Sequence, residues 1–558
     1  MSEGARKVRF GILVQGPWIE AWQARSLGEI LRVAGAAPSV VVVPEPNHAR
    51  RDRRVRDGLL FRAYRRLRPS RALRREPLGP LTGNAQTLKC RLESTATSPS
   101  TYREDDVDRL GELNLDFLLD FGGDAASGGI LTAARRGLWS FSVGDARKRL
   151  DGALAFWEVY DGEPVTRAAL ERRGDSENMI LRAGFFPTQL GSYAASLDTV
   201  LFGCARWPAS VCRDLLPGLE GGPGALERTA SPALDLPFRT PTNAQMFRLL
   251  SQEVRHVGSR LRNEVLRQAD WGVGIVREPI QAFLRPGYRP RVDWIPPLPG
   301  GVFLADPFGI ARGGTIHLFG EVYDYRTSRG SLVSIPVPDR GPQGPAVPVL
   351  PQSVHASYPY LFEHDGAVYC VPETSAAREV RLYRAVELPA RWEFVTVLLP
   401  GVAGVDGTVF RHGGRWWLAC ADGEVDPFVH LYLWHSPDLT GPWQPHSSNP
   451  VKADVRSARP GGTPFMHEGT LYRPAQDCSR TYGGRLVINR VTRLTPEEFE
   501  EEVAAVVEPF RDGPYPEGAH TLSAVGDVTL IDGKRYARMP GGLVSAVRRG
   551  FELVSASQ

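Results

Sequence analysis

Three acids in the second half of this 558-residue chain stand beside apolar runs: Asp306 in GVFLADPFGI (301–310), Glu373 after Val371-Pro372, and Asp406 in GVDGTVF (404–410). Chemistry at a glycosidic carbon needs such a set. One carboxylate acts as base or nucleophile, a protonated carboxylic acid serves the leaving oxygen, and a third acid raises the donor's pKa. Asp306, Glu373 and Asp406 fit those roles in that order. Tyr358, Arg459, Gln476, Asp477 and His520 are the matching candidates for substrate contacts, since a hydroxyl-rich ligand is oriented by a few placed polar groups. Each acid also has an ordinary structural use. Asp306 and Asp406 can cap strands by accepting backbone N–H bonds, and Glu373 can pair with Arg459. No metal is expected, because His520 alone is not a metal site. The aromatics Tyr360, Trp416, Trp417, Trp434 and Trp443 read either as sugar platforms or as packing between sheets. Tyr358 is the better ligand candidate, as the neighbour of the acids.

These residues are far apart in sequence, so a repeated scaffold must bring them together. Five stretches echo one another: Gly301–Ile310, Ala356–Phe362, Gly404–Phe410, Ala458–Phe465 and Gly518–Ser523. In each, a polar group meets a short apolar or aromatic run. From Trp271 onward the chain reads as short strands parted by turn pairs, Gly313-Gly314, Asp365-Gly366, Gly413-Gly414 and Asp532-Gly533. A repeat of about 50 residues with this pattern predicts a five-bladed β-propeller. The five stretches then begin the inner strands, and their polar groups face one axial channel. Trp271–Glu278 completes the last blade as a closing strand.

The first half reads differently. Val8–Val14, Glu20–Gly35 and Ser39–Val43 give strand, helix and strand, which predicts a parallel α/β sheet. The arginine-rich segment 50–75 is either a phosphate-binding arm or a solvated helix buried through Leu59, Leu60, Phe61, Tyr64 and Leu67. Asp116–Glu171 carries Phe121-Gly122-Gly123, Gly137-Leu138-Trp139-Ser140-Phe141-Ser142, and Asp161-Gly162-Glu163 before Val165-Thr166. This stretch resembles the core of the formyltransferase family. The resemblance implies an asparagine and a histidine that polarise a formyl carbonyl, at the positions of Ser140 and Ser142. An aspartate on the following loop would orient the histidine, where Asp175 or Ser176 stands. Serine cannot serve as a base near neutral pH, so the resemblance implies a degenerate site with Asp145 and Asp175 as its surviving polar groups. Reduced folate is implied only if that site still works. Pro217–Pro241 reads as a linker, and Thr242–Ala269 as a bridging helix with an apolar stripe through Met246, Leu249, Leu250, Val254, Val257 and Leu261.

The second half also bears a resemblance, carried by Ala305-Asp306-Pro307-Phe308, Ser357-Tyr358-Pro359, Pro372-Glu373, Asp406-Gly407-Thr408, Ala458–Gly462, Arg473–Cys478 and Tyr482-Gly483. It is similar to the N-terminal propeller of plant glucosamine inositolphosphorylceramide transferases and, in layout, to family-43-type glycoside hydrolases. A carbohydrate context is what this implies. The expectation is a multidomain chain: an α/β formyltransferase-like domain over 1–216, a linker and bridging helix over 217–269, and an all-β five-bladed propeller over 270–558. Its function is expected to be glycosyl or group transfer, or hydrolysis, on a sugar-like or amino-sugar substrate. The alternatives are a one-carbon transferase with a reassigned N-terminal site, and a binding or scaffold protein. The net charge of +4 gives no reason to expect a nucleic-acid partner, and six cysteines without CxxC spacing fit reduced thiols. No apolar run reaches the length of a membrane span and no leader peptide is recognisable, so a cytoplasmic location is expected.

Overall fold

The computed structural model describes residues 8–33, 35–45, 58–93, 101–122, 127–145, 153–174, 177–214, 230–232, 241–338 and 344–537. Asp175, Ser176, arginines 50–57, the basic turn at 147–149 and most of the 217–241 linker lie outside them. Two compact units divide the chain, Met1–Val257 and Gly258–Gln558. Among the described residues no helix is long and apolar enough to cross a membrane. All six cysteines are buried and unpaired.

The N-terminal unit corrects the expectation of an α/β formyltransferase-like domain. Its centre is a nine-stranded sheet, ordered Ala230–Pro232, Glu177–Pro187, Val165–Arg172, Leu138–Val143, Phe117–Asp120, Val8–Leu13, Ala36–Glu45, Gln86–Glu93, Thr101–Tyr102. Only the middle five strands run parallel. Both flanks pair antiparallel. The strand–helix–strand opening is real but is not sustained. A 3-10 turn at Gly128–Leu131 precedes Leu138–Val143, and the chain then runs as a meander through Leu138–Val143, Val165–Arg172 and Glu177–Pro187. The region shows no clear α/β formyltransferase fold, and the chain as a whole is mainly β.

Two helices of this unit bury a different face from the one their apolar residues suggest. In Leu59–Leu67 the buried side chains are Phe61 and Tyr64, while Leu59, Leu60 and Leu67 are exposed. In Asn243–Leu266, Met246 and Leu249 are buried but Val254 and Val257 are exposed. The reason is Glu253, which is buried. Its carboxylate takes the Tyr64 hydroxyl at 2.7 Å, the Tyr193 amide at 2.8 Å and Arg68 at 2.9 Å. A carboxylate with three donors is worth more at that face than a valine contact.

The C-terminal unit is a five-bladed propeller. Blade one is Val302–Arg312, Thr315–Asp324, Arg329–Val337 and Val347–Pro348. Blade two is Ser357–His364, Ala367–Glu373, Glu379–Glu387 and Arg391–Pro400. Blade three is Gly404–His412, Arg415–Asp422, His430–Ser436 and Gln444–Pro445. Blade four is Phe465–His467, Thr470–Asp477, Arg485–Leu494 and Phe499–Val507. Blade five is assembled from both ends of the unit: Leu522–Val525 and Val528–Ala537 come from the C-terminal side, and Gln268–Val276 and Asp293–Trp294 from the N-terminal side. The turns from first to second strand at Gly313-Gly314, Asp365-Gly366, Gly413-Gly414 and Glu468-Gly469 each hold two residues at positive φ, the geometry that matches strand twist in a tight hairpin. Asp532-Gly533 is not such a turn. It lies inside the strand Val528–Ala537, where a Cβ on Gly533 would stand 2.7 Å from both Trp294 and Tyr515. Apolar and aromatic side chains fill the gaps between blades, including Phe308, Phe319, Tyr360 and Trp416 around blades one to three.

Candidate functional site

The inner strands of blades one, two and three share a defect at the same place. Register slips between Ala305 and Phe308, between Ser357 and Tyr360, and between Val405 and Thr408. Within each slip one non-glycine residue takes a left-handed backbone: Asp306 (φ 51°), Tyr358 (φ 43°) and Asp406 (φ 53°). A non-glycine residue held this way costs about 1–3 kcal/mol, and such strain collects at functional sites. The bulge frees each residue's N–H from the ladder. A carboxylate of the preceding blade takes it. Asp306 N–H donates to Asp532 Oδ2 at 3.3 Å, Tyr358 N–H to Asp306 Oδ2 at 3.1 Å, and Asp406 N–H to Glu373 Oε2 at 3.1 Å. Successive blades are thus stitched around the axis by their acids.

Tyr358 continues the stitching. Its hydroxyl accepts the Gly462 N–H at 2.9 Å and pairs with Thr408 Oγ1 at 3.1 Å. The side chain is fully buried, so it is a cross-link between blades rather than the ligand platform expected for it. Tyr358→Phe should cost about 1–3 kcal/mol, because the Gly462 N–H is left buried without a partner. A urea titration with an unchanged m-value reads this directly; a loss below about 0.5 kcal/mol would mean that water replaces the bond.

The side chains form two connected groups. In the first, Arg459 meets Asp406 Oδ2 through Nε at 2.6 Å and Oδ1 through Nη2 at 3.4 Å, and Gln476 Nε2 donates to the same Oδ2 at 2.8 Å. Burial disfavours the guanidinium charge, but Asp406 outweighs it and raises the Arg459 pKa. In the second group, Asp532 Oδ1 accepts the His520 and Thr521 amides at 2.8 and 3.0 Å, while its Oδ2 lies 2.5 Å from His520 Nδ1. The other ring nitrogen of His520 faces Asp306 Oδ1 at 3.6 Å, and Thr521 Oγ1 donates to that oxygen at 3.1 Å. The His520 ring is stacked on Trp271 at 3.9 Å. Burial works against the imidazolium, but Asp532 and Asp306 raise its pKa overall.

The acids influence one another. Burial pushes the Asp306 carboxyl up to about 6, with His520 pulling the other way and Asp406 adding to the rise. Burial and then Asp406 push Glu373 up to about 8, against Arg459. A carboxylic acid that keeps its proton at neutral pH can donate it. The other Glu373 oxygen accepts from the Ser375 hydroxyl at 3.3 Å, and the Glu373 side chain also hydrogen-bonds with that of Asp406.

The structure therefore gathers Asp306, Glu373, Asp406, Arg459, Gln476 and His520 around one axis. Asp477 is not among them. Its carboxylate is taken by Arg485 at 2.9 Å and by the Ser479 amide at 2.9 Å. Two further acids escaped the sequence reading, Asp532 and Glu321. Glu321 is buried in the middle of Thr315–Asp324; among the described residues its Oε1 has no hydrogen-bond partner, with His355 Nε2 3.6 Å away, and burial followed by Asp306, Glu373 and Asp406 raises its pKa well above the usual range. The signal available was an acid inside an apolar strand, LFGEVY and LIDG. In the N-terminal unit, Ser140 and Ser142 sit on Leu138–Val143 opposite Glu171 and Ala169, and the Asp145 amide donates to Glu158 at 2.8 Å.

Asp306, His520 and Asp532 offer ligand atoms within 4.8 Å of one another, close enough in principle for a cation. The donors are poorly disposed to it. Asp532 already receives three backbone amides and the imidazole, so coordination would have to displace bonds that hold the blades together. This triad fits a hydrogen-bonded relay better than a metal centre.

Residues 299–515 match the family model described as glucosamine inositolphosphorylceramide transferase 1, N-terminal. The protein of that name from Arabidopsis thaliana is 33% identical over 273 residues, covering 46% of this chain and 35% of the relative. Its namesake from Oryza sativa subsp. japonica is 32% identical over 268 residues, covering 45% and 36%. The chain thus spans about a third of the length of the curated relatives it matches. Among solved structures, the chain is similar to an α-L-arabinofuranosidase from Podospora anserina (TM-score 0.33, 13% identity, 44% of this chain and 96% of that one). It is likewise similar to a family 117 glycoside hydrolase from Zobellia galactanivorans (TM-score 0.32, 12% identity, 48% and 91%).

Proposed function

We propose that the propeller is a carbohydrate-acting enzyme that exchanges or hydrolyses a glycosyl bond at the axial acid cluster. The observation that carries this reading is the convergence of Asp306, Glu373 and Asp406 from three blades, with two of them on strained left-handed backbone. Glu373 gives its proton to the leaving oxygen as the C–O bond breaks. Asp306 takes the proton of the attacking hydroxyl, from water or from an acceptor sugar, or itself attacks as nucleophile. Burial, and then the charge of Asp406 as fixed by Arg459 and Gln476, keeps Glu373 protonated. The relatives that match this half carry the name glucosamine inositolphosphorylceramide transferase 1, which suits a hydroxyl-rich ring as the substrate class.

The test is turnover of a panel of sugar nucleotides and aryl glycosides by the full chain. Asp306→Asn and Glu373→Gln should each lower kcat by about a hundredfold or more without lowering the thermal midpoint by more than a few degrees. Full turnover in both variants would overturn the roles. A second reading, glycan binding without turnover, is supported by the use of three of these carboxylates as caps for neighbouring blades. Saturable sugar binding with no product from any donor would favour it.

A further inference from the structure

Among the aromatics at the acid cluster, Tyr482 is set apart by its exposure. The side chain is 40% exposed, while Trp271 and Tyr358 beside the same acids are buried. Its surroundings are specific. The Arg459 guanidinium lies 5.0 Å from the Tyr482 ring centroid and 5.3 Å from that of Phe428, and the two rings stand 5.9 Å from each other, so the cation rests against both. The His520 ring stands edge-on to Tyr482 at 5.2 Å. Burial, then Asp306, Asp406 and Glu321, act on the phenol to raise its pKa against Arg459. The hydroxyl thus feels the acids although the ring reaches solvent.

The backbone that presents this ring is anchored with unusual care. Lys534 is 1% exposed, and its ammonium donates to the Tyr482 carbonyl. The next carbonyl, of Gly483, accepts the Ala519 N–H at 3.0 Å. Gly483 itself has a left-handed backbone (φ 57°), and a Cβ there would lie 2.4 Å from Trp271. Burying a lysine is costly unless its ammonium is well bonded. The same ammonium reaches Thr481 Oγ1 at 3.4 Å and lies 5.4 Å from the Trp271 ring, so one buried cation fixes both the backbone of Tyr482 and its neighbours.

We propose that Tyr482 is the platform of a substrate subsite at the acid cluster, stacking on the apolar face of a pyranose or cyclitol ring, with Lys534 as its positioning residue. A flat ring with C–H groups on one face and hydroxyls at its edge satisfies both neighbours at once. The phenyl face takes the C–H groups, and the edge hydroxyls meet Arg459 and the acids. Arg459 already carries a carboxylate and two rings, so it orients Tyr482 and need not be displaced by the ligand. This subsite rests on the carbohydrate reading of the propeller and deepens it.

The test is calorimetric titration of the full chain with glucosamine, methyl β-D-glucopyranoside and myo-inositol. Tyr482→Ala should weaken binding about tenfold, the scale of one lost stacking contact. Tyr482→Phe keeps the face and should stay within about threefold of the wild type. Lys534→Met should weaken binding while Tyr482→Phe does not, which a purely structural lysine would not produce if both fold with the same m-value. Unchanged affinity in Tyr482→Ala would overturn the subsite, as would equal losses in Tyr482→Ala and Tyr482→Phe or no binding of any of the three rings by the wild type. Turnover separates the two readings: Asp306→Asn inactive with wild-type affinity in Tyr482→Ala would leave the enzyme reading standing and remove only the platform.

Discussion

Replacing Arg459 with methionine should destabilise the propeller by about 3–5 kcal/mol, the cost of leaving a buried charge without its partner. The Arg459 and Asp406 side chains are 10% and 4% exposed. Once the guanidinium is gone, the Asp406 carboxylate keeps the Gln476 amide and Glu373 but no opposite charge. Phe428 and Tyr482 also lose the cation that rests against their rings. The double variant Arg459→Met/Asp406→Asn should recover a large part of the loss, because neither buried charge then remains. Chemical denaturation of the two single variants and the double gives the pair's coupling energy. A single-variant loss under about 1 kcal/mol would show that water already screens the pair, and with it that the axis is wetter than the burial of these acids suggests.

The second large effect concerns pH. Glu373 has its folded-state pKa raised from 4.5 to about 8. The folded protein therefore holds a proton that the unfolded chain has released, between about pH 4.5 and 8. In that window the unfolded state binds fewer protons, so this group's contribution to stability falls as pH rises. Glu373→Gln is neutral throughout and lacks that slope. At pH 5 the variant should match the wild type closely. By pH 9 it should be the more stable of the two by roughly 3–5 kcal/mol, since each pKa unit corresponds to about 1.4 kcal/mol. Thermal midpoints of both proteins from pH 5 to 9 provide the check, and parallel curves would mean that Glu373 does not keep its proton. The same variant is expected to lose turnover, so a gain in stability with a loss of activity is the combined signature of an acid kept for chemistry.

Much of the propeller is legible in the sequence because its requirements are local. A tight hairpin needs two left-handed residues, and the glycine-containing pairs at 313, 365 and 413 supply them as expected, while the fourth, Glu468-Gly469, emerges only from the structure. Polar residues at the head of an inner strand recur for the same reason in each blade, which is why Asp306, Asp406 and Arg459 could be picked out. The same signal misleads at Asp532-Gly533. There the pair looks like a turn, but glycine is present to admit Trp294 and Tyr515, and aspartate to hold three amides. Glu321 and Asp532 were missed because a lone acid in an apolar strand does not state whether its strand is interior to a blade. Tyr358 was recognised as a neighbour of the acids, but its hydroxyl's partners lie 50 and 104 residues away and are set by packing alone. In the first half, the strand–helix–strand opening and the resemblance over Asp116–Glu171 both point to an α/β formyltransferase-like domain, and the structure shows no clear fold of that kind. The pairing direction of the later strands depends on where the chain turns back, and the antiparallel meander after Leu138 went unread.

The way the ring of blades is sealed bears on how its boundaries should be drawn. The span that matches the plant family, 299–515, contains none of the four strands of blade five. A fragment trimmed to that span would be an open arc of four blades, with unpaired apolar flanks on blades one and four and a tendency to associate through them. It would also lack His520, Thr521 and Asp532, so Asp306 would lose the acceptor for its own amide along with two partners of its carboxylate. The smallest piece of this chain that can hold the acid cluster together runs from about Gln268 to Ala537, well beyond what similarity alone marks out.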